Sequence, residues 1–423
     1  MKIALIGAGP AGLAAARAFS KRGLAFTGFE RHADVGGLWD IANPWSTMYA
    51  SAHLISSARR TEYAEFPMPA DMPDYPAHAR LLPYLQDYAR RFDLYRHYRF
   101  GTEVQAAERR PEGGWRLRLG DGTVEDFTHL VSAVGTFSTP FRPEIPGTFA
   151  GVLLHSGEYK DPERFRGKRV LIVGAGNSAC DIAVDAVHHA ASVDWSVRRG
   201  VHFVPKFIAG KPADTIGGRL KLPAWLKQRV DGWLLKLLIG DPTRLGLPRP
   251  DHRLYESHPV VNSQVLYHVG HGDIRVRRAP QRFDGGHVEF ADGERAGYDL
   301  VLLATGFALS FPFLDRALLN WRDGCPQLFL NIFPPGIDDL FVLGMVEATG
   351  IGWEGRARQA ELVAAVIGAR TAGDRRVEAF DAARSQDVDL SGGFRYMKLD
   401  RMAYYVHRDT YLAQLDRHIA ALA

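Results

Sequence analysis

Cysteine is scarce in this chain. Only Cys180 and Cys325 occur among 423 residues, which excludes a disulfide framework and a thiolate metal cluster, and without a Cys-x-x-Cys there is no thiol redox pair. A reducing, cytoplasmic setting is expected from that usage. Long apolar runs are missing too: none reaches the roughly 18 residues of a membrane span, so no span is expected. The apolar N-terminus lacks a polar cleavage region and leads into a glycine-rich loop, so it reads as a buried first strand and not as a signal peptide. Charge of one sign is not in excess. The formal net charge is +4, and the pairs Arg90 and Arg91, Arg109 and Arg110, Arg277 and Arg278, and Arg375 and Arg376 are scattered, which reads as solvated surface and argues against a nucleic-acid partner. His252, His258, His268 and His271 have no metal-ligand spacing, so no metal is expected. Neither a Ser/His/Asp set nor a carboxylate pair is apparent, and no short-period repeat occurs.

What is present is ordinary in bulk and specific in pattern. Apolar residues make up 46% and charged residues 24%, as in a soluble globular protein, and the length suits two or three domains. Lys2 to Gly7 is a short apolar β-type run entering GAGPAG (Gly7, Ala8, Gly9, Pro10, Ala11, Gly12), behind which an alanine-rich stretch predicts a helix to about Arg22. A second apolar run ends in Glu30, about 20 residues beyond the first glycine. This is the βαβ dinucleotide fingerprint in its required context: Gly7 makes the tight turn, Gly9 admits a pyrophosphate, Gly12 lets helix and strand pack, and Glu30 accepts from a ribose hydroxyl. Gly36, Gly37, Leu38 and Trp39 follow, where a Gly-Gly pair lets backbone approach a large ligand. A polar stretch, Met48 to Arg60, and a proline-punctuated loop come next. Leu81 to Phe92 predicts a core-facing helix, and Ser132 to Gly147 a linker rich in Pro and Gly.

Phe149 to Tyr159 (FAGVLLHSGEY) stands between two glycine-rich turns. Arg169 to Val173 enters the second, GAGNSA, with Gly174, Gly176, Asn177 and Ser178 and with Ala179 at the third position, which the pattern permits. The strand after it, Val193 to Val197, ends in Arg198 and Arg199 where an acid would repel a 2′-phosphate; Arg pairs with one bidentately, so NADPH is expected over NADH. Leu222 to Leu238 predicts an amphipathic helix with Lys227, Arg229 and Lys236 opposite an apolar face; packing on the nucleotide domain or acting as a lid, serving a partner, and lying on a membrane surface are all open to it. Tyr298 to Phe307 is a buried strand followed by a glycine turn that echoes Ser132 to Gly135. The expected fold is therefore α/β with two Rossmann-like dinucleotide-binding domains: residues 1–140 and 301–423 form a discontinuous first domain, and 141–300, with a helical insertion around 215–245, the second.

Together these motifs resemble the class B flavin-containing monooxygenases. FAGVLLHSGEYKDP fits that family's F-x-G-x-x-x-H-x-x-x-Y pattern at Phe149, Gly151, His155 and Tyr159, and GAGPAG, GGLW, GAGNSACDIA and ATGF follow in family order over nearly the whole chain. The resemblance implies FAD held through Gly7, Gly9, Pro10, Ala11, Gly12, Glu30, Gly37, Leu38, Trp39 and the backbone near Val104. It implies NADPH held through Gly174, Gly176, Asn177, Ser178, Arg198 and Arg199, with Thr305 of ATGF in the cofactor set. It further implies a C4a-hydroperoxyflavin that oxygenates a small-molecule amine nitrogen or sulfide sulfur with O2. One departure is clear: the family's Asn shortly after a Tyr near position 49 is absent from MYASAHLISSARR. A gapped alignment puts Ser57 in its place, with Ser56 adjacent, as a smaller polar group or as a loop hydrogen-bonder; an ungapped one points nearer Ile55. Ketone oxygenation of the Baeyer–Villiger type is the near alternative, although Tyr159 and Lys160 stand where that sister family ends its pattern in Trp then Pro or Asp; an NADPH-dependent flavin reductase or oxidase and a non-catalytic redox sensor are the others. For His155 a structural, domain-coupling role is expected, because this chemistry needs no general base. A homodimer is left open.

Overall fold

In the computed structural model residues 1–216 and 222–423 are described; part of the insertion expected around 215–245 therefore lies outside the described residues. The fold is built on two five-stranded, all-parallel sheets. The first runs in the order Leu340–Val342, His129–Ser132, Ile3–Ile6, Phe26–Phe29, Tyr98–Arg99. The second runs Val152–His155, Leu300–Leu303, Arg169–Val173, Ser192–Ser196, Ile274–Arg277. Their central strands are unbroken apolar runs, as sheets covered on both faces require: every residue of Ile3–Ile6 and of Leu300–Leu303 is buried.

In each sheet a glycine turn passes the central strand directly into a helix. Pro10–Lys21 starts with proline in its first turn, where the missing N–H costs nothing, and its alanines pack closely on those of Glu354–Thr371. Asn177–Val187 follows the second sheet's glycine turn and buries Ala179, Cys180, Ile182, Ala183 and Ala186 in that sheet's core. Two smaller sheets flank these cores, the first antiparallel and the second mixed, with Gly147–Phe149 parallel to Pro280–Gly285. Val104–Arg109, Trp115–Leu119 and Val124–Phe127 lie by the first, and Gly147–Phe149 pairs into the hairpins of Pro280–Gly285, His287–Phe290 and Arg295–Gly297 by the second.

The expected domain boundary between residues 300 and 301 meets a strand of the second sheet. That point falls inside Leu300–Leu303, which lies between Val152–His155 and Arg169–Val173, so the second sheet extends through Leu303. The chain passes between the sheets twice, and the two passages pair with each other as Thr139–Pro140 and Phe307–Ala308.

Of the placements open to the helix expected over Leu222 to Leu238, burial of its apolar face on this chain is not the one seen. The helix spans Ala224–Ile239 and buries none of its side chains fully. It turns polar groups toward its own protein: Gln228 Nε2 donates to the Leu254 carbonyl (3.0 Å), and Asp231 accepts from the Tyr255 hydroxyl (2.7 Å). The apolar side faces outward, with Trp233 68% and Leu237 69% exposed. Periodicity located the stripe, but a helix resting on a neighbour through polar contacts need not bury it.

Candidate active site

Both glycine turns are shaped for a ligand, and the two kinds of glycine in them can be told apart. A Cβ on Gly12 would lie 1.9 Å from the Gly7 carbonyl oxygen, and one on Gly174 2.2 Å from that of Ala304; these glycines serve the packing of the fold. Gly7 has φ +105 and Gly174 φ +130, which only glycine adopts without strain. By contrast, a Cβ on Gly9 would meet only the Cα of Gly37, at 3.7 Å, and one on Gly176 nothing within 4 Å. The space beside Gly9 and Gly176 is required by no protein atom. Neither following helix has a side-chain cap, so both leave first-turn N–H groups free for an anion. A pyrophosphate fits that arrangement at each turn.

Around the first turn the expected residues come together. Pro10 and Ala11 open the helix, and Gly37, Leu38 and Trp39 form a short 3₁₀ turn whose first glycine (φ +59) backs onto Gly9. Glu30 is buried, with one carboxylate oxygen accepting from the Ala8 amide (2.7 Å) and the other from the His32 amide (2.9 Å). Each oxygen keeps a second lone pair for a ribose hydroxyl. Val104 packs with Ile6 and Phe29 beneath this corner, and Trp39 lies edge-on to Trp353 at 6.1 Å.

At the second turn the candidates divide. Arg198 is exposed and engaged by no acid among the described residues, whereas Arg199 is paired with Asp251 (3.1 Å). Asn177 accepts the Val261 amide (2.8 Å), which ties a distant loop to the helix start. Ser178 stands beside the Tyr49 hydroxyl. Thr305 donates to the Phe141 carbonyl (2.5 Å), so its hydroxyl is used in joining the two passages between the sheets.

Sequence reasoning missed a polar seam between the two folds. Asp181 accepts from the Tyr49 hydroxyl (3.2 Å) and from Asn262 Nδ2 (2.6 Å), while Asp185 accepts from Tyr159 (3.0 Å) and from Ser51. Burial raises the pKa of both acids. The only trace in the sequence is an aspartate pair one helical turn apart on a helix that also packs a core, a pattern with no specificity of its own.

His155 is held at both ring nitrogens. Its Nε2 lies 3.0 Å from the Gly306 carbonyl and its Nδ1 accepts from the Gly157 amide (3.1 Å), which fixes a neutral ring; burial also lowers its pKa. It therefore binds the Phe149–Tyr159 connector to the second passage. His155→Ala is expected to keep FAD bound but to slow NADPH-driven flavin reduction and loosen its coupling to oxygenation, each by roughly tenfold or more, because small misplacements of reacting groups are costly. Flavin absorbance per chain and single-turnover reduction measure the two; parental reduction and coupling would remove the domain-coupling role.

Of the two serine candidates, Ser56 shares its hydroxyl with Thr61 (2.9 Å). Ser57 is 1% exposed, and its hydroxyl has no partner among the described residues. A buried hydroxyl without a partner is uncommon, which makes Ser57 the stronger of the two.

Comparison with known proteins agrees with this geometry. A family model described as flavin-binding monooxygenase-like matches residues 1–410. The chain is 31% identical to flavin-containing monooxygenase 1 of Rattus norvegicus over 380 residues, which covers 82% of this chain and 70% of the relative. It is similar to the structure of a flavin monooxygenase double mutant from Stenotrophomonas maltophilia (25% identity, TM-score 0.67, covering 88% of this chain and 98% of that one). It shares its fold with cyclohexanone monooxygenase from Rhodococcus sp. Phi1 bound to NADP+ (18% identity, TM-score 0.73, 100% and 96% covered). Two uncapped glycine turns, the buried Glu30 and a family match over nearly the whole length lead to one conclusion: the chain belongs to the flavin-binding monooxygenase-like family and is a flavin-dependent monooxygenase.

Proposed function

We propose that this enzyme uses FAD, NADPH and O2 to oxygenate a soft nucleophile, the amine nitrogen or sulfide sulfur of a small molecule. The observation that carries the reading is the pair of ligand-shaped turns in one chain, the second followed by a strand that ends in the free Arg198. FAD supplies the oxygen-activating chemistry and NADPH the hydride; the chain's own part is to bind, orient and exclude water. We assign FAD to Gly7, Gly9, Pro10, Ala11, Gly12, Glu30 and Gly37, and NADPH to Gly174, Gly176 and Arg198. In the division we favour, the second domain is inserted into a discontinuous first domain and ends after Leu303. No helix among the described residues is long and apolar enough to cross a membrane, and the two buried, free cysteines support a cytoplasmic setting.

Ketone oxygenation is the second reading, favoured by the shared fold with cyclohexanone monooxygenase. Against it stand the residues that close the connector. Tyr159 is hydrogen-bonded to Asp185, and Lys160 Nζ donates to the Ser46 and Met48 carbonyls (2.6 and 3.2 Å), so both are built into the junction of the folds. Reduced enzyme mixed with oxygen in the presence of NADP+ is expected to yield one N-oxide or sulfoxide per NADPH from an amine and sulfide panel. Hydrogen peroxide as the sole product would overturn oxygenation, and an ester or lactone from a ketone would select the second reading.

A further inference from the structure

After the second sheet's fourth strand the chain forms a small ribbon, Phe207–Ile208 paired with Lys211–Pro212, and then a turn at Ala213–Thr215. This ribbon reaches across to the first fold. The Tyr75 hydroxyl donates to the Lys206 carbonyl (2.6 Å), the rings of Tyr75 and Phe207 meet edge-on at 5.3 Å, and the Lys206 ammonium stands 5.4 Å from the Tyr75 ring centre. At its tip, Asp214 accepts the Ser57 amide proton at Oδ2 (2.6 Å), and its carbonyl accepts from Arg60 Nε (3.1 Å).

The segment that Asp214 holds is the one that carries Ser56 and Ser57 in place of the family Asn. Its far side rests on the flavin fold: the Trp353 amide donates to the Thr61 carbonyl (2.9 Å), and the Tyr63 hydroxyl to the carbonyl of Pro10 in the first glycine turn (2.7 Å). One carboxylate thus connects the second fold's ribbon to a segment braced on the first cofactor turn. A charge-assisted bond to a buried amide is among the stronger local contacts available, and a contact that joins a ribbon to another fold limits how far the two can part.

We propose that Asp214 is a positioning residue for the oxygenation: by accepting the Ser57 amide proton it holds the 206–215 ribbon closed over the serine segment and keeps water from the reacting end of the site. The functional half of this rests on the monooxygenase reading; the closure itself does not.

Three variants test it. Asp214→Ala removes the acceptor. Asp214→Asn keeps an amide oxygen that can still accept. Ser57→Pro removes the donor instead and suits the backbone there, since Ser57 already has φ −64. In cofactor-free protein, hydrogen–deuterium exchange of peptides covering 55–63 and 204–216 is expected to quicken at least ~tenfold in Asp214→Ala and Ser57→Pro and to stay near the parental rate in Asp214→Asn, because local opening governs exchange. With cofactors, the same two variants should divert NADPH from product to hydrogen peroxide while Asp214→Asn remains coupled. Parental exchange and coupling in Asp214→Ala would overturn the proposal, as would uncoupling by Asp214→Asn as complete as that by alanine. A parent that makes no oxygenated product would instead count against the monooxygenase reading, with the exchange result still deciding the closure.

Discussion

Gly176→Ala is expected to fold with the parental melting temperature, retain its FAD, and bind NADPH at least ~100-fold more weakly, the loss of two charge-assisted backbone bonds to phosphate. The structure makes this a clean separation. The new methyl would meet no protein atom within 4 Å, and at φ −83 the backbone suits any residue, so the fold has no reason to object. What the methyl would fill is the space in which a pyrophosphate must approach the first turn of Asn177–Val187. Gly174→Ala and Gly12→Ala are the contrast: there the methyl would lie against backbone carbonyls at 2.2 and 1.9 Å, and stability should fall along with binding. Melting curves, flavin occupancy and an NADP+ titration distinguish the cases. Parental NADPH affinity in Gly176→Ala would mean the second turn is not the nucleotide site.

Arg198→Ala should weaken NADPH by roughly 10- to 100-fold, the worth of one charge-assisted contact to phosphate, and change NADH by no more than ~threefold. The contrast with its neighbour sharpens the test. Arg199 is already paired with Asp251, so Arg199→Ala should cost less, and part of its effect should disappear in an Asp251→Ala background, as coupled residues do. KM values for the two nucleotides at low and physiological salt measure this, since a phosphate contact weakens as salt rises. Equal losses for NADPH and NADH in Arg198→Ala would remove the 2′-phosphate role.

The parts legible in the sequence are those set by local spacing. A glycine turn between a buried strand and an alanine-rich helix determines its own geometry within a few residues, so the turns at Gly7, Gly9, Gly12, Gly174 and Gly176 and the acid at Glu30 could be placed in advance. The place of Arg198 was legible for the same reason, just past the end of a particular strand. Asp214 was not: its contact with Ser57 spans 157 positions, and a lone Asp in a loop has no signature. The seam of Tyr49 and Ser51 with Asp181 and Asp185 depends likewise on two folds meeting. Local rules reach only so far. Apolar periodicity located the 222–238 stripe but left its placement open, and the contacts of Gln228 and Asp231 show which side meets the protein; residue 300 opens a strand whose partners, Val152–His155 and Arg169–Val173, lie far upstream. Thr305, expected in the cofactor set, has its hydroxyl bonded to the Phe141 carbonyl, a contact its motif does not announce.

The paired passages Thr139–Pro140 and Phe307–Ala308 mean that the chain departs from the first fold and rejoins it at a single doorway. Everything between has neighbouring ends, the condition under which a stretch of protein can be lifted out, closed on itself or exchanged for another without asking the remainder to move. Away from that doorway the two folds also meet through side chains, as where Asp181, Asp185 and Asp214 reach Tyr49, Ser51 and Ser57.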